Sequence, residues 1–167
     1  MGVPAIDPHR STPLLRALAK FARSPAGRWF GIHIAARIDP LLLRLSGGRV
    51  SSFAGAPVLN LTVPGRKSGE PRSSALLYFT EGEEVVLIAS SFGREKHPAW
   101  YHNVMAHPEV DLTARGADGR YVAREVTGEE RSRLYGLATL IYPGYADYQV
   151  RAAAAGRTIP VLALRPA

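Results

Sequence analysis

The sequence predicts an α+β fold, a small antiparallel barrel of roughly six strands with helices before it and between its strands. Three observations predict it. Up to about residue 48 apolar residues recur at helical spacing. From Pro57 onward the apolar runs shorten to strand length and are separated by turn residues. Successive strands are mostly joined in meander order, without the βαβ alternation of a dinucleotide-binding fold. Closing such strands into a barrel removes their exposed edges. The 167 residues suit one structural domain, divided here into an N-terminal helical extension (1–50) and the barrel (51–167).

The elements follow in order. PLLRALAKFAR (13–23) is an amphipathic helix with Leu14, Leu15, Leu18, Phe21 and Ala22 on one face and Arg16, Lys20 and Arg23 opposite. Pro25 and Gly27 break it, and Arg28 to Ile38 forms a second helix. Asp39-Pro40 reads as the N-cap and first turn of a third, which Gly47-Gly48 stops. PVLNLTV is the first strand, and SSALLYFT and VVLIAS pair across the turn EGEE. HPAWYHNVMAHP is a short helix between two prolines. EVDLTAR and RYVAREV flank GADG as a second hairpin. Thr127-Gly-Glu-Glu130 is a capping box that opens a helix to about Leu140. YPGYADYQ and an Ala-rich helical stretch ending at Gly156 precede the last strand, IPVLAL.

Composition narrows the chemistry. With no cysteine, disulfides, thiolate metal sites and cysteine catalysis are excluded. No apolar run approaches the roughly 18 residues of a spanning helix, and the first residues lack a signal peptide's pattern. A cytoplasmic protein is expected. The net charge of +7 is uneven: residues 1–72 hold 11 Lys/Arg against 3 Asp/Glu, and the remainder is close to neutral. That asymmetry fits an anionic partner, whether a phosphorylated small molecule, an acidic membrane surface or nucleic acid, as well as a merely soluble basic surface. The basic amphipathic helix fits either a membrane surface or packing on its own domain.

Three stretches carry candidate chemistry. TVPGRKSGEPRSS (62–74) sets Arg66, Lys67 and Arg72 among glycine, proline and serine between two strands. Such a turn offers backbone N–H groups, the Ser68 hydroxyl and guanidinium groups to a phosphate. It is no Walker A loop, since it leads into a strand. ASSFGREKHPAWYHN (89–103) leaves a strand and enters a helix, a geometry that favours anions or a polar ring edge. There Trp100 and Tyr101 suit either stacking on a planar ligand or the core. Tyr142, Tyr145 and Tyr148 recur every third residue, near one helical face, and suit either the wall of a pocket for a carbonyl or nitro acceptor or a packing stripe. His97, His102 and His107 are spaced about 140° apart on a helix and do not form a metal set. No G-x-S-x-G elbow supports a hydrolase.

Taken together, GRKSGEPR, ASSFG, HPAWYHNVMAHPEV, YPGYADYQ and RTIPVLAL resemble the deazaflavin-dependent nitroreductases in type and order. These are actinobacterial oxidoreductases of the split β-barrel (FMN-binding-like) fold that use coenzyme F420. The resemblance runs from about Val58 to Leu164. It implies a coenzyme F420 site, with an 8-hydroxy-5-deazaflavin ring, a phospholactyl group and an oligoglutamate tail, and no metal. Arg66, Lys67, Ser68 and Arg72 match the positions that hold phosphate and tail, continued by Ser73 and Ser74. Ile88, Ala89, Ser90 and Ser91, with Ala99, Trp100, Tyr101, His102 and Asn103, match the segments that line the ring. Tyr142, Tyr145 and Tyr148 match the tyrosines beside the acceptor, Tyr145 serving both acceptor and coenzyme, and Ser90 helps orient either. The implied reaction is hydride transfer from reduced F420 to an activated alkene, quinone or nitro compound. The chain departs from the family where Ser90-Ser91-Phe92-Gly93 replaces Ser-Lys-Gly-Gly.

Two rival functions are an FMN-dependent split-barrel oxidoreductase and a non-enzymatic protein that binds the cofactor or a membrane surface. Nucleic-acid binding is not expected, because the basic residues gather in helices and one turn. The expected partners are a small hydride acceptor and, through residues 1–48, the inner face of the cell membrane. The expected state is a monomer or homodimer.

Overall fold

The structure, a computed structural model, describes residues 2–10, 12–53 and 55–167, with the backbone alone at Leu15. The sequence-based assignment of Leu15 to an apolar helix face therefore lies outside the described residues.

Six antiparallel strands close into a barrel in the order β1-β2-β3-β6-β5-β4. They are β1 (Val58–Pro64), β2 (Pro71–Glu81), β3 (Glu84–Ile88), β4 (Glu109–Ala114), β5 (Ala117–Val126) and β6 (Val161–Pro166). The expected meander holds for β1-β2-β3 and then breaks. β6 inserts between β3 and β5, and β4 closes the barrel on β1 through Asn60↔Thr113, Leu61↔Leu112 and Thr62↔Asp111. The second hairpin also turns earlier than GADG: Arg115 and Gly116 take positive φ of 51° and 85°, and Ala117 to Gly119 already belong to β5. The left-handed pair matches the strand twist better than a longer loop.

The alternation of strand residues builds two cores. Leu59, Leu61, Val85, Leu87, Leu112, Leu162 and Leu164 fill the barrel interior with Tyr78, Trp100 and Tyr121. The opposite faces of β3 and β6, with Phe79 on β2, are covered by α5 (Gly128–Ile141) and α6 (Gly144–Ala154). Both faces of β3 and β6 are thus buried, which is why they read as unbroken apolar runs. The first residues close one end of the barrel, where Val3 N–H donates to the Tyr121 hydroxyl at 3.0 Å and the Tyr78 hydroxyl donates to Pro4 O at 3.1 Å.

The N-terminal helices differ from expectation. α1 (Pro13–Arg23) ends at Ser24, whose hydroxyl accepts from Gly27 N–H at 3.0 Å and caps α2 (Pro25–Phe30). A π-helical turn (Gly31–Ala35) then joins α2 directly to α3 (Ala36–Leu45). Asp39 caps nothing and lies inside α3. Its carboxylate, 2% exposed, accepts instead from the Ser52 N–H at 2.7 Å and hydroxyl at 2.6 Å. Thr127 likewise precedes α5 without a side-chain cap, and Glu130, the other half of the expected capping box, pairs with Arg124 at 2.7 Å. The tyrosine segment and the Ala-rich segment are one helix, α6.

Candidate active site

A cavity of 330 Å³ opens where α1 to α3, β2, the Ser90–Arg94 loop and the start of α6 meet. Its lining includes Leu76, Leu77 and Ile88 from the strands, Trp100 from α4 (Ala99–Ala106), and all three tyrosines. It is predominantly apolar and lies at the small end of the range for ligand sites.

The tyrosines converge, but not as one helical stripe. Tyr142 terminates α5 with φ −138°, whereas Tyr145 and Tyr148 sit on α6. Their ring centroids lie 5.3 Å (142–145), 5.8 Å (142–148) and 6.0 Å (145–148) apart. The Tyr142 ring folds back over Gly144, where any Cβ would overlap it. The Tyr142 and Tyr148 hydroxyls are 3.2 Å apart and share a hydrogen bond. Tyr145 is held through its backbone: the Tyr135 hydroxyl donates to the Tyr145 main-chain carbonyl at 2.8 Å, and the Tyr145 phenol has no hydrogen-bond partner among the described residues. Burial raises the pKa of all three phenols, so each stays a proton donor at neutral pH.

The Ser90–Arg94 loop is strained and stapled. Ser91, Phe92 and Gly93 take consecutive positive φ values of 49°, 57° and 73°. Gly93 is pressed on α6, where a Cβ would come within 2.8 Å of Tyr148 O. Behind the loop the Arg157 guanidinium, on a residue 8% exposed, donates to Ser90 O at 2.9 Å, Arg94 O at 2.7 Å and Ala89 O. The Ser90 and Ser91 hydroxyls make no hydrogen bond among the described residues and line the cavity.

The basic turn between β1 and β2 is built largely from its own hydrogen bonds. Gly65 N–H donates to Glu70 O, Gly69 N–H to Gly65 O, both at 2.8 Å, and Glu70 N–H to the Ser68 hydroxyl at 3.3 Å. Arg66 N–H is taken by Asn103 Oδ1 at 3.1 Å, which ties the turn to α4. The expected arc of free amides is therefore reduced to Lys67 and Ser68. Anion binding falls mainly to side chains: Arg66, Lys67 and Arg72 are exposed and make no ion pair among the described residues. β2 carries the chain from Arg72 to cavity-lining Ser74 in about 7 Å at the usual strand rise. Ser73, beside it, shares a hydrogen bond of 3.2 Å with Thr62.

Other expected residues fall off the cavity. Ala89 is wholly buried in the barrel core, and Ala99 is exposed. Tyr101 packs between His97 and His102 (5.0 and 5.4 Å), and its hydroxyl donates to Glu125 at 2.8 Å. Among the described residues no three histidine or carboxylate side chains come together as a metal site. Sequence reasoning missed the roof, where Leu18, Ala22, Arg28, Gly31 and Asp39 line the cavity. It also missed Arg157, although a lone arginine between an Ala-rich helix and the final strand was a signal.

The arrangement thus sets a predominantly apolar cavity near a turn of exposed cations that make no ion pair among the described residues. Comparison with known proteins gives the family. A family model described as F420H(2)-dependent quinone reductase matches residues 36–166. An F420H(2)-dependent quinone reductase of Mycobacterium tuberculosis (strain ATCC 25618 / H37Rv) is 30% identical over 145 residues, which is 82% of this chain and 95% of that protein. A solved structure of an F420-H2 dependent reductase is 37% identical, with a TM-score of 0.59, covering 65% of this chain and 94% of the other. A second, described as a domain-swapped dimer, is 32% identical with a TM-score of 0.61, covering 75% and 94%. The chain belongs to the F420H(2)-dependent quinone reductase family and is an oxidoreductase that uses reduced coenzyme F420.

Proposed function

We propose that this protein reduces a quinone in the 330 Å³ cavity, with Tyr145 as the residue that polarises the acceptor oxygen and supplies its proton. The observation that carries this is the unpaired Tyr145 phenol beside two tyrosines whose hydroxyls are paired with each other. When bound, the reduced deazaflavin supplies the hydride, and the protein orients the partners. Arg66, Lys67 and Arg72, with the Ser68 hydroxyl and the Lys67 and Ser68 amides, hold the phosphate and acidic tail. Ser73 and Ser74 guide the tail toward the cavity. Ile88, Ser90, Ser91 and Trp100 form the ring's walls, and Ala89 fixes the loop backbone from within the core. Asn103 positions the turn from α4, while Ala99, Tyr101 and His102 act through the placement of that helix. Ser90, with a free hydroxyl, orients acceptor or ring. The N-terminal extension (1–50) supplies the roof through α1 to α3, and the barrel unit (51–167) binds the coenzyme.

The test is a fluorescence titration with oxidised and reduced coenzyme F420, with FMN in parallel. Arg66→Ala and Lys67→Ala should each weaken F420 binding about tenfold, the scale of one exposed charge-assisted contact. Equal binding by both variants, or preference for FMN, would leave the family assignment standing and sink this placement of the coenzyme.

The roof also supports a second reading, contact with an acidic membrane surface. Among the described residues, seven of the ten exposed large apolar side chains lie between Leu14 and Val50, among them Trp29 (59%) and Leu45 (74%). Arg16, Lys20, Arg23, Arg28, Arg37 and Arg44 are interspersed with them. Among the described residues no helix is long and apolar enough to cross a membrane, so the contact is peripheral. A lipid-soluble quinone would then reach the cavity from the inner face of the membrane. Flotation with anionic vesicles, but not with neutral ones, is expected; no flotation with either removes this reading. The domain-swapped relative favours a homodimer, which light scattering checks.

A further inference from the structure

Phe92 is the one large side chain in the left-handed run Ser91-Phe92-Gly93, with φ 57° and ψ 25°. A bulky residue is disfavoured there and persists only where its surroundings over-determine it. The surroundings are on both sides of the cavity. Its ring meets the Tyr148 ring edge-on at 6.0 Å, on the tyrosine wall. On the roof it leans on Gly31, at the start of the π-helical turn, where a Cβ would sit 3.5 Å from the ring edge. The Arg94 guanidinium lies 5.8 Å from the ring centre, and Arg94 also lines the cavity. Phe92 therefore spans the seam between the tyrosine wall and the helical roof, and both Phe92 and Gly31 line the cavity.

We propose that the Phe92–Gly31 pair sets which acceptors enter, closing the cavity to quinones with bulky substituents on that side. The inference rests on the reading that the acceptor occupies this cavity. At 330 Å³ the space is tight, so the loss or gain of one side chain changes what fits. Phe92 blocks the seam, and Gly31, lacking a side chain, leaves room for the ring edge beside the roof. Removing the ring opens the seam, whereas a side chain at position 31 narrows it further.

The experiment compares kcat/KM for a small acceptor, 1,4-benzoquinone, and a bulky one, a naphthoquinone with an isoprenoid chain, in Phe92→Gly, Phe92→Ala, Gly31→Val and Tyr145→Phe. Coenzyme F420 affinity is measured in each. In both Phe92 variants the bulky-to-small ratio should rise about tenfold, with F420 affinity held within about twofold. Gly31→Val should lower the ratio by a similar factor. Gly31→Val carries the test by itself if the Phe92 variants do not fold. An unchanged ratio in Phe92→Gly and Gly31→Val overturns the proposal, as does a loss of F420 affinity without a change in ratio, which would make Phe92 a wall of the coenzyme site. If Tyr145→Phe still loses activity in that case, the acceptor site stands and only the selectivity role falls. If Tyr145→Phe is also silent, the acceptor site falls with it.

Discussion

Arg157 Nε donates to His97 Nδ1 at 2.8 Å, joining the chain just before the last strand to the loop that walls the cavity. The bond fixes the state of the imidazole: Nδ1 accepts and so carries no proton. Burial, the Arg157 charge and nearby His102 all lower the His97 pKa. A histidine held neutral in the fold gains a proton more readily when unfolded. Its contribution to stability is therefore complete above the ordinary value of about 6.5 and is lost as pH falls through and below it. Melting temperature should be level between pH 7 and 8 and decline from about pH 6.5 downward. His97→Gln should flatten that part of the profile; a profile identical to the parent's would show that the pair is not what titrates.

Arg157 has a larger role than its pairing with one histidine. Its guanidinium serves three backbone carbonyls of the loop, with no carboxylate paired to it among the described residues. Arg157→Ala would leave the Ala89 and Arg94 carbonyls without this donor, while Ser90 O keeps the Gly93 N–H at 2.9 Å, at about 1–3 kcal/mol for each that water does not reach. Arg157→Lys keeps the charge but not the fork, and should recover only part of the loss. Thermal melts rank the three proteins, and F420 affinity should fall in the same order, since the loop carries Ser90 and Ser91. A lysine variant as stable as the parent would mean that charge, not fork geometry, holds the loop.

Much of this architecture was legible in the sequence because it is local. Six strands, their approximate limits and the hairpin turn after Glu81 follow from alternation and from glycine at positive φ. What was not legible depends on contacts distant in sequence. Asp39 looked like a helix cap, yet Ser52 offers it two donors across a loop, and the helix runs through it. The position of β6 between β3 and β5 leaves no trace in β6's own pattern. At the site, the tyrosines and the basic turn stood out by composition, but the roof did not. Gly31, Ala35 and Ala36 are unremarkable residues that matter because the π-helical turn and α3 bring them over the cavity beside β2.

The three tyrosines should separate by mutation. Tyr145→Phe removes the free phenol and should lower kcat about 10²-fold, as expected for loss of a positioned proton donor, with F420 affinity unchanged. Tyr148→Phe breaks the pair with Tyr142 and leaves one hydroxyl without its partner, which costs about 1 kcal/mol of stability. Its effect on kcat should be about tenfold or less, because that hydroxyl is not the free donor. Since burial raises the Tyr145 pKa, the parent enzyme should not lose this donor below pH 10. A larger kcat effect in Tyr148→Phe than in Tyr145→Phe would reassign the donor.

Gly144 offers a way to move a tyrosine without altering any tyrosine. A methyl group there would occupy the space of the Tyr142 ring, and Gly144 itself is buried at the start of α6. The ring is the far end of a side chain, so it yields before the backbone does. Gly144→Ala should therefore swing Tyr142 away, separate its hydroxyl from that of Tyr148 and reshape the cavity, while gaining helix propensity at the same position. Activity is expected to fall by about tenfold, a loss of roughly 1.4 kcal/mol in transition-state stabilisation, with a melting temperature within a few degrees of the parent's. A double variant with Tyr142→Phe separates packing from hydrogen bonding. If the effects of Gly144→Ala and Tyr142→Phe do not add, both act through the lost Tyr142–Tyr148 bond. If they add fully, the alanine acts on the cavity by a route other than that bond.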